Sequence, residues 1–480
     1  MQFIVSEMRR LSTNTGQLST KFDENTAQLS QMAKDIQSLK IDVQGSAISL
    51  SATDLGGSEI QKLEQNGNLL TFQPTSGDSI LSSEEMKHVQ TLVVERDLIK
   101  FINSKLQPIL KPRVACSSES HPWLWTSTMN SQTKLKPDTF ICYRGFVRKS
   151  GDEGVPAHDR ILEGVNAVDY KLERTPKAFG ELIIHLQSLH HNIRRYCDRN
   201  HMFIVKGALA CKDGIWLVRV ERTTVHDALK LSWTDAGGRE KLKTFFAEEN
   251  LIAKAAENFL ASFNKDLYEL KGTSFLGIGG TGCVFLVHDR EQSAQVRTAQ
   301  AMKVVIGAPN IPLLKAEYMM NIKISQSAEN VIMRASDIKY QLDGAGMLMS
   351  DVGAAIESNQ YRKRMAALDL IVKLHQAGYY HGDARKQNLL EFCGNFKWCD
   401  LQRAGILASL PDDEQRQAHL MHDICMILNS FGYDKLAPAK RDTLREYAEN
   451  MTIENLTSFV SGVCEDFLKA DTDFDLKKQA

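Results

Sequence analysis

Gly277-Ile278-Gly279-Gly280-Thr281-Gly282-Cys283-Val284 is the segment that most restricts the fold of this chain. It reads G-x-G-x-x-G-x-V. Apolar Phe275-Leu276 precede it and Val284-Phe285-Leu286-Val287 close it, so the pattern predicts strand, glycine turn, strand. Such a turn folds over nucleotide phosphates. A dinucleotide fingerprint would instead open a helix after the glycines. Glycines also make plain hairpins, so the run acquires meaning only from the residues downstream of it.

Those downstream residues come in a definite order. Ala301-Met302-Lys303 ends a predicted strand, and Lys303 is placed to reach α/β-phosphates. Glu317, 14 residues on and in a helical pattern, is placed to hold that lysine. The run Gly346–Gly353 reads as a buried strand entering a hinge, with Met349 to Asp351 beside an adenine ring. Then come His381-Gly382-Asp383-Ala384-Arg385 and Asn388, and Asp400-Leu401-Gln402 begins 17 residues past Asp383. In this order and spacing the segment resembles a protein kinase. The resemblance implies a bilobal domain over 251–480, with an N-lobe to about 350, binding ATP and Mg²⁺. Gly277, Gly279, Gly282, Val284, Lys303, Met349 and Asp351 would bind the nucleotide. Asp383 would take the substrate hydroxyl proton, and Asn388 and Asp400 would hold the metal. Arg385, where kinases usually carry lysine, would meet the γ-phosphate with a planar fork. Asp423 resembles the buried helical aspartate behind a kinase active site. The expected activity is phosphoryl transfer to a protein Ser/Thr hydroxyl.

The chain also departs from that pattern. Only 22 residues separate Asp400 from Asp423, there is no A-P-E, and Gln402 replaces the usual glycine. A full activation segment does not fit, which leaves a pseudokinase as an alternative.

The block 84–250 reads as mixed α/β. Helical HVQTLVVERDLIKFINSKL is followed by strand-like TFICYRGFV, AVDYKLE, HMFIVKGALAC and GIWLVRVERT, with Asp213-Gly214 as a hairpin signal between the last two. Helical AFGELIIHLQSLHHNIRRYC separates the second and third strands, and KLKTFFAEENLIAKAAENFLASF leads out of the block. Pro137-Asp138 opens one strand, and Asp169-Tyr170-Lys171 follows 31 residues after Asp138. At strand period two, Asp169 and Lys171 share a face. Two carboxylates and a lysine there would hold a metal and activate water near a phosphodiester. This resembles the PD-(D/E)xK site of the restriction-endonuclease-like fold, with Asp138 and Asp169 as metal ligands and Lys171 as catalytic residue. Glu95, Glu181 and Gln187 would support it. His185, His190 and His191 diverge on the next helix and read as surface or nucleic-acid-facing, not as a metal cluster. Arg194, Arg195 and Arg199 read as a basic face for phosphates or solvent.

The start of the chain is different again. Met8, Thr15, Phe22, Leu29, Ile36 and Val43 alternate with Ile4, Leu11, Leu18, Asn25, Met32 and Leu39 in an unbroken heptad. It predicts a coiled coil over 1–44, for self-association or a partner helix, or a helix docked on its own chain. Residues 45–83 are rich in Ser, Thr and Gly and read as a linker with little fixed structure.

Taken together, the fold class expected is multidomain α+β: a coiled-coil helix, an α/β restriction-endonuclease-like module and a kinase-like domain. That pairing of modules, with HGDAR and its downstream asparagine, resembles the Crinkler-type effectors of oomycetes and fungi. The heptad stands in place of that family's LFLAK-type header. The resemblance implies action in the host nucleus or cytoplasm, although Arg362-Lys363-Arg364 is too short to argue nuclear import.

Composition sets the outer limits. The 480 residues carry 58 Lys+Arg against 59 Asp+Glu, which excludes a chain-wide basic coat but leaves local DNA contact open. Nine scattered cysteines without C-x-x-C, and no apolar run of membrane length, predict a soluble intracellular protein. A DNA nuclease regulated by its kinase-like domain, and a non-catalytic interaction protein, are the competing readings.

Overall fold

The computed structural model describes residues 52–118, 121, 123–125, 134–150, 153–194, 203–221, 224–291, 298–356, 358–433 and 441–469. The heptad, Arg195 and Arg199 lie outside the described residues. The fold is mixed α and β, with several sheets. Among the described residues no helix is long and apolar enough to cross a membrane.

The stretch expected as a linker is not one. Ala52–Gln65 is a helix, and Leu69–Thr71 pairs in parallel with strand Thr224–Leu231. Gly56, one of the glycines that suggest looseness, is a packing residue. A side chain on Gly56 would run into the Pro176 carbonyl, and one on Gly180 into that of Ala52. Helix Ala52–Gln65 therefore lies backbone to backbone on helix Pro176–Arg194, a close approach that only glycine permits.

A nine-stranded sheet forms the middle of the molecule. Thr139–Tyr143 runs antiparallel to both Arg113–Ser117 and Asn166–Lys171. Helix Pro176–Arg194 then crosses over, and Ile204–Cys211 returns parallel to Asn166–Lys171. A parallel return needs such a crossover. The expected hairpin comes next, Ile204–Cys211 against Gly214–Glu221. The sheet buries both faces. Ile141, Val168 and Tyr170 pack with helix Glu95–Leu110, whereas Phe140, Cys142 and Ala167 pack with helix Pro176–Arg194.

Two expected long helices are each divided. Ser83–Thr91 and Glu95–Leu110 replace one, and Gly238–Phe245 and Leu251–Phe263 replace the other. The second break has a local cause, since Asn250 caps helix Leu251–Phe263 through the Ala253 amide; the Ser82–Glu85 capping box starts helix Ser83–Thr91.

Beyond residue 264 a six-stranded sheet carries helix Asn310–Ser327, and a mostly helical region begins at Tyr361. The middle block and this sheet are not separated by a gap. Tyr143 and Phe146 share one apolar core with Phe275, Phe285, Met302 and Val304.

Candidate functional site

Two clusters of titratable side chains stand out. The first lies between the six-stranded sheet and the helical region. Strands Phe275–Ile278 and Gly282–Asp289 pair antiparallel, and the Gly279 amide donates to the Gly282 carbonyl at 2.8 Å, closing the glycine turn. A side chain on Gly282 would strike the Val304 carbonyl, whereas one on Gly277 or Gly280 would meet nothing. The turn is thus pinned at its end and open at its tip.

Val284 pairs with Lys303, which lies inside strand Gln300–Ile306 and not at its end as expected. Lys303 Nζ donates to Glu317 at 2.8 Å and 3.1 Å, and to Asp400 Oδ1 at 2.9 Å. Burial works against the lysine's charge, but the carboxylates of Glu317 and Asp400 outweigh it and hold Lys303 above its ordinary pKa. Glu317, the more enclosed carboxylate, is raised by burial. Burial also opposes Asp400, yet Lys303 overcomes it and the net shift is downward. Asp400 has φ 59 and ψ 64, a left-handed backbone uncommon outside glycine.

Asp383 and Asn388 face this cluster from the helical region. Asn388 Nδ2 donates to the Asp383 carbonyl at 2.9 Å and to its Oδ2 at 3.1 Å. Arg385 forms a two-pronged pair with the Asp383 carboxylate, at 2.7 Å on each oxygen. The fork expected to meet a phosphate thus rests on Asp383. Asp351, expected at a nucleotide hinge, has its carboxylate paired with Lys397 at 2.7 Å, while Met349 ends strand Gly344–Met349.

Asp423 holds the loop from behind. It accepts from the His381 and Gly382 amides at 2.7 Å each and lies 3.2 Å from His375 Nε2. Burial opposes its charge, but these partners, led by His375, lower its pKa. His381 accepts from the Asp383 amide at Nδ1 and donates from Nε2 to the Cys399 carbonyl, which fixes a neutral tautomer. Burial lowers its pKa accordingly. Glycine at position 382 has a backbone reason. It has φ 74, and a side chain would collide with the Arg403 carbonyl.

The second cluster sits at the end of strand Asn166–Lys171. The Asp138 amide approaches Asp169 Oδ1 at 3.4 Å, and Asp138 Oδ2 accepts from the Tyr170 amide at 2.8 Å. Lys171 Nζ lies 3.4 Å from Glu181 and 3.8 Å from Glu95. Asp138, Asp169, Lys171, Glu95 and Glu181 therefore come together. Gln187 is half-buried further along helix Pro176–Arg194. Burial, then the neighbouring Asp169, pushes Asp138 up to about 6. Burial opposes the charge on Lys171, but the surrounding carboxylates, Asp138 first, raise it overall.

The histidine expectation fails in part. His185 Nδ1 contacts both oxygens of Asp169, at 2.8 Å and 3.0 Å, and His190 is buried and stacked on Phe203. His191 and Arg194 are exposed as expected. Sequence reasoning misses His185 as a site residue, although it lies four residues beyond Glu181, on one helix face. His375 and Tyr447 carry no sequence signal.

No protein-family model matches this chain, and no curated protein matches it. Among the described residues no group of three or more His, Cys, Asp or Glu side chains is arranged to hold a metal ion.

Proposed function

We propose that this chain is an ATP- and Mg²⁺-dependent phosphotransferase that transfers the γ-phosphoryl group to a hydroxyl, here a Ser/Thr hydroxyl of a protein. One observation carries the reading. Lys303 Nζ lies between Glu317 and Asp400, at 2.8 Å and 2.9 Å, on the strand paired with the one that closes the glycine turn. Phosphoryl transfer needs positioning and neutralisation of charge more than covalent chemistry. Lys303 orients phosphates and Glu317 fixes Lys303. Asp383 receives the hydroxyl proton once Arg385 turns to the phosphate.

A Mg²⁺ ion supplies charge neutralisation to the phosphates. Asp400 and the carbonyl oxygen of Asn388 are hard oxygen donors of the kind it takes. The combination with the middle block is the one Crinkler-type effectors carry, and we extend that family reading to this chain.

The test is autophosphorylation with Mg²⁺-ATP. Asp383→Ala should lower transfer by roughly a thousandfold or more while nucleotide still binds, and Lys303→Ala should weaken both. Parent-like transfer by both variants would end this reading.

The second cluster favours a second activity, metal-dependent cleavage of DNA. Its support is the convergence of Asp138, Asp169 and Lys171 on a helix–three-strand–helix–strand unit. Cleavage of plasmid DNA by the parent that Asp169→Ala abolishes is the expected result. Equal cleavage by both proteins would assign the nicking to a contaminant.

A further inference from the structure

The glycine turn has two sides. Lys303 alternates with Met302 and Val304 along its strand, so it points away from the core that those two residues enter. On the side opposite Lys303 the sheet is covered by helix Leu251–Phe263 and by the middle block, and the middle block's contact is built at two levels.

The root of the glycine hairpin is fixed. Phe146 stacks on Phe285, ring centroids 5.8 Å apart, and meets Phe275 edge-on at 5.9 Å. These phenylalanines belong to the two strands that flank the turn. The Lys149 amide donates to the Gly272 carbonyl at 2.7 Å, and Arg148 bridges Thr273.

The tip is not packed. It borders a cavity of about 490 Å³, lined by the turn from Ile278 to Gly282, by Ile252, Ile306 and Asn310, and by Arg160. Arg160 belongs to the middle block. Its short 3-10 turn is anchored by buried Ile161, by the His158 ring accepting from the Arg160 amide, and by the Ala157 amide donating to the Phe146 carbonyl. One local structure therefore supplies both the root contact and part of the cavity wall. The turn from Ile278 to Gly282 borders that empty space directly, so the tip has room to swing into it.

We propose that the middle block positions the phosphate-binding turn, with Phe146 fixing its root and Arg160 limiting how far its tip retreats from the Lys303 cleft. Both are positioning residues, and the inference rests on the phosphotransferase reading. A turn that retreats farther holds phosphates less closely, and small misplacements are costly in such sites. The middle block is thus part of the nucleotide site and not a separate passenger.

The test uses the full chain and a non-hydrolysable ATP analogue with Mg²⁺. Arg160→Ala should weaken analogue binding by roughly tenfold, with melting temperature unchanged because Arg160 is exposed. Hydrogen exchange should rise over 277–282, and Arg160→Lys should restore most of the affinity. Phe146→Leu should weaken binding in the same sense, and its exchange should rise at 273–276 as well. If the parent does not bind the analogue, the phosphotransferase reading fails and takes this inference with it. If the parent binds and Arg160→Ala matches it in affinity and exchange, the positioning role alone is overturned.

Discussion

The two clusters hold similar side chains in opposite electrostatic states. In the Lys303 cleft each carboxylate is answered: Glu317 and Asp400 by Lys303, Asp383 by Arg385 and Asn388, Asp423 by two amides and His375. In the middle cluster the four carboxylates of Asp138, Asp169, Glu95 and Glu181 face Lys171 and His185, with Lys177 reaching Glu181 at 3.9 Å. Asp138 is accordingly displaced to about 6 by burial and by Asp169. A cluster with surplus negative charge favours a divalent cation.

The largest effect that would break this contrast is at Asp423. Its carboxylate is fully buried and ties His375 to the His381 and Gly382 amides. Asp423→Ala strands those amides and a buried imidazole, so it should cost about 3–5 kcal/mol. Calorimetric unfolding reads this directly. A loss below about 1 kcal/mol would mean that the cleft does not depend on its buried pairing.

Asp138→Asn should have the opposite sign. The folded-state pKa of Asp138, about 6, exceeds its ordinary 3.8, so at higher pH the folded chain bears an ionised carboxylate it disfavours. Asparagine keeps an acceptor for the Tyr170 amide and removes the charge. In metal-free buffer at pH 8 the variant should be more stable by on the order of 2 kcal/mol. The advantage should shrink as pH falls through 6 and vanish below 3.8, where the parent is protonated in both states. Denaturant midpoints from mildly acidic to mildly alkaline pH would show it. A destabilised variant at the alkaline end would mean that the middle cluster carries no charge surplus.

The sequence is most informative where chemistry and backbone geometry coincide. The glycine run, Lys303 with Glu317, and Asp383 with Asn388 are legible because fixed spacing along one segment brings them into reach. Asp138 and Asp169 are legible because alternation along a strand leaves few faces. Other features are hidden because they depend on tertiary neighbours. Gly56 suggests looseness in the sequence, whereas in the fold two helices touch through it and Gly180. Tyr447 meets His375 across 72 residues, and Lys397 meets Asp351 across 46, with no local pattern to announce either pair. Phe146 reads as part of a strand, whereas it sits in a 3-10 turn and its ring stacks on the glycine hairpin.

The smallest effect sharpens the comparison most directly, because it sets two lysine–glutamate pairs side by side. Lys303 and Glu317 are 2.8 Å apart and both buried, whereas Lys171 and Glu95 are 3.8 Å apart with the Glu95 side chain 45% exposed. Water screens the second pair and Lys171 keeps Glu181 at 3.4 Å, so Glu95→Gln should change stability by less than about 0.5 kcal/mol. The same exchange at Glu317 should cost far more, because it leaves Lys303 charged and enclosed with one anionic partner fewer. Paired unfolding curves at low and high salt separate the cases. Salt should erase the Glu95 effect and leave the Glu317 effect standing, since ions reach the exposed pair and not the buried one. Equal losses at the two sites would show that Lys171 is as enclosed as Lys303, and the division between a prepaired cleft and a ligand-demanding cluster would fall.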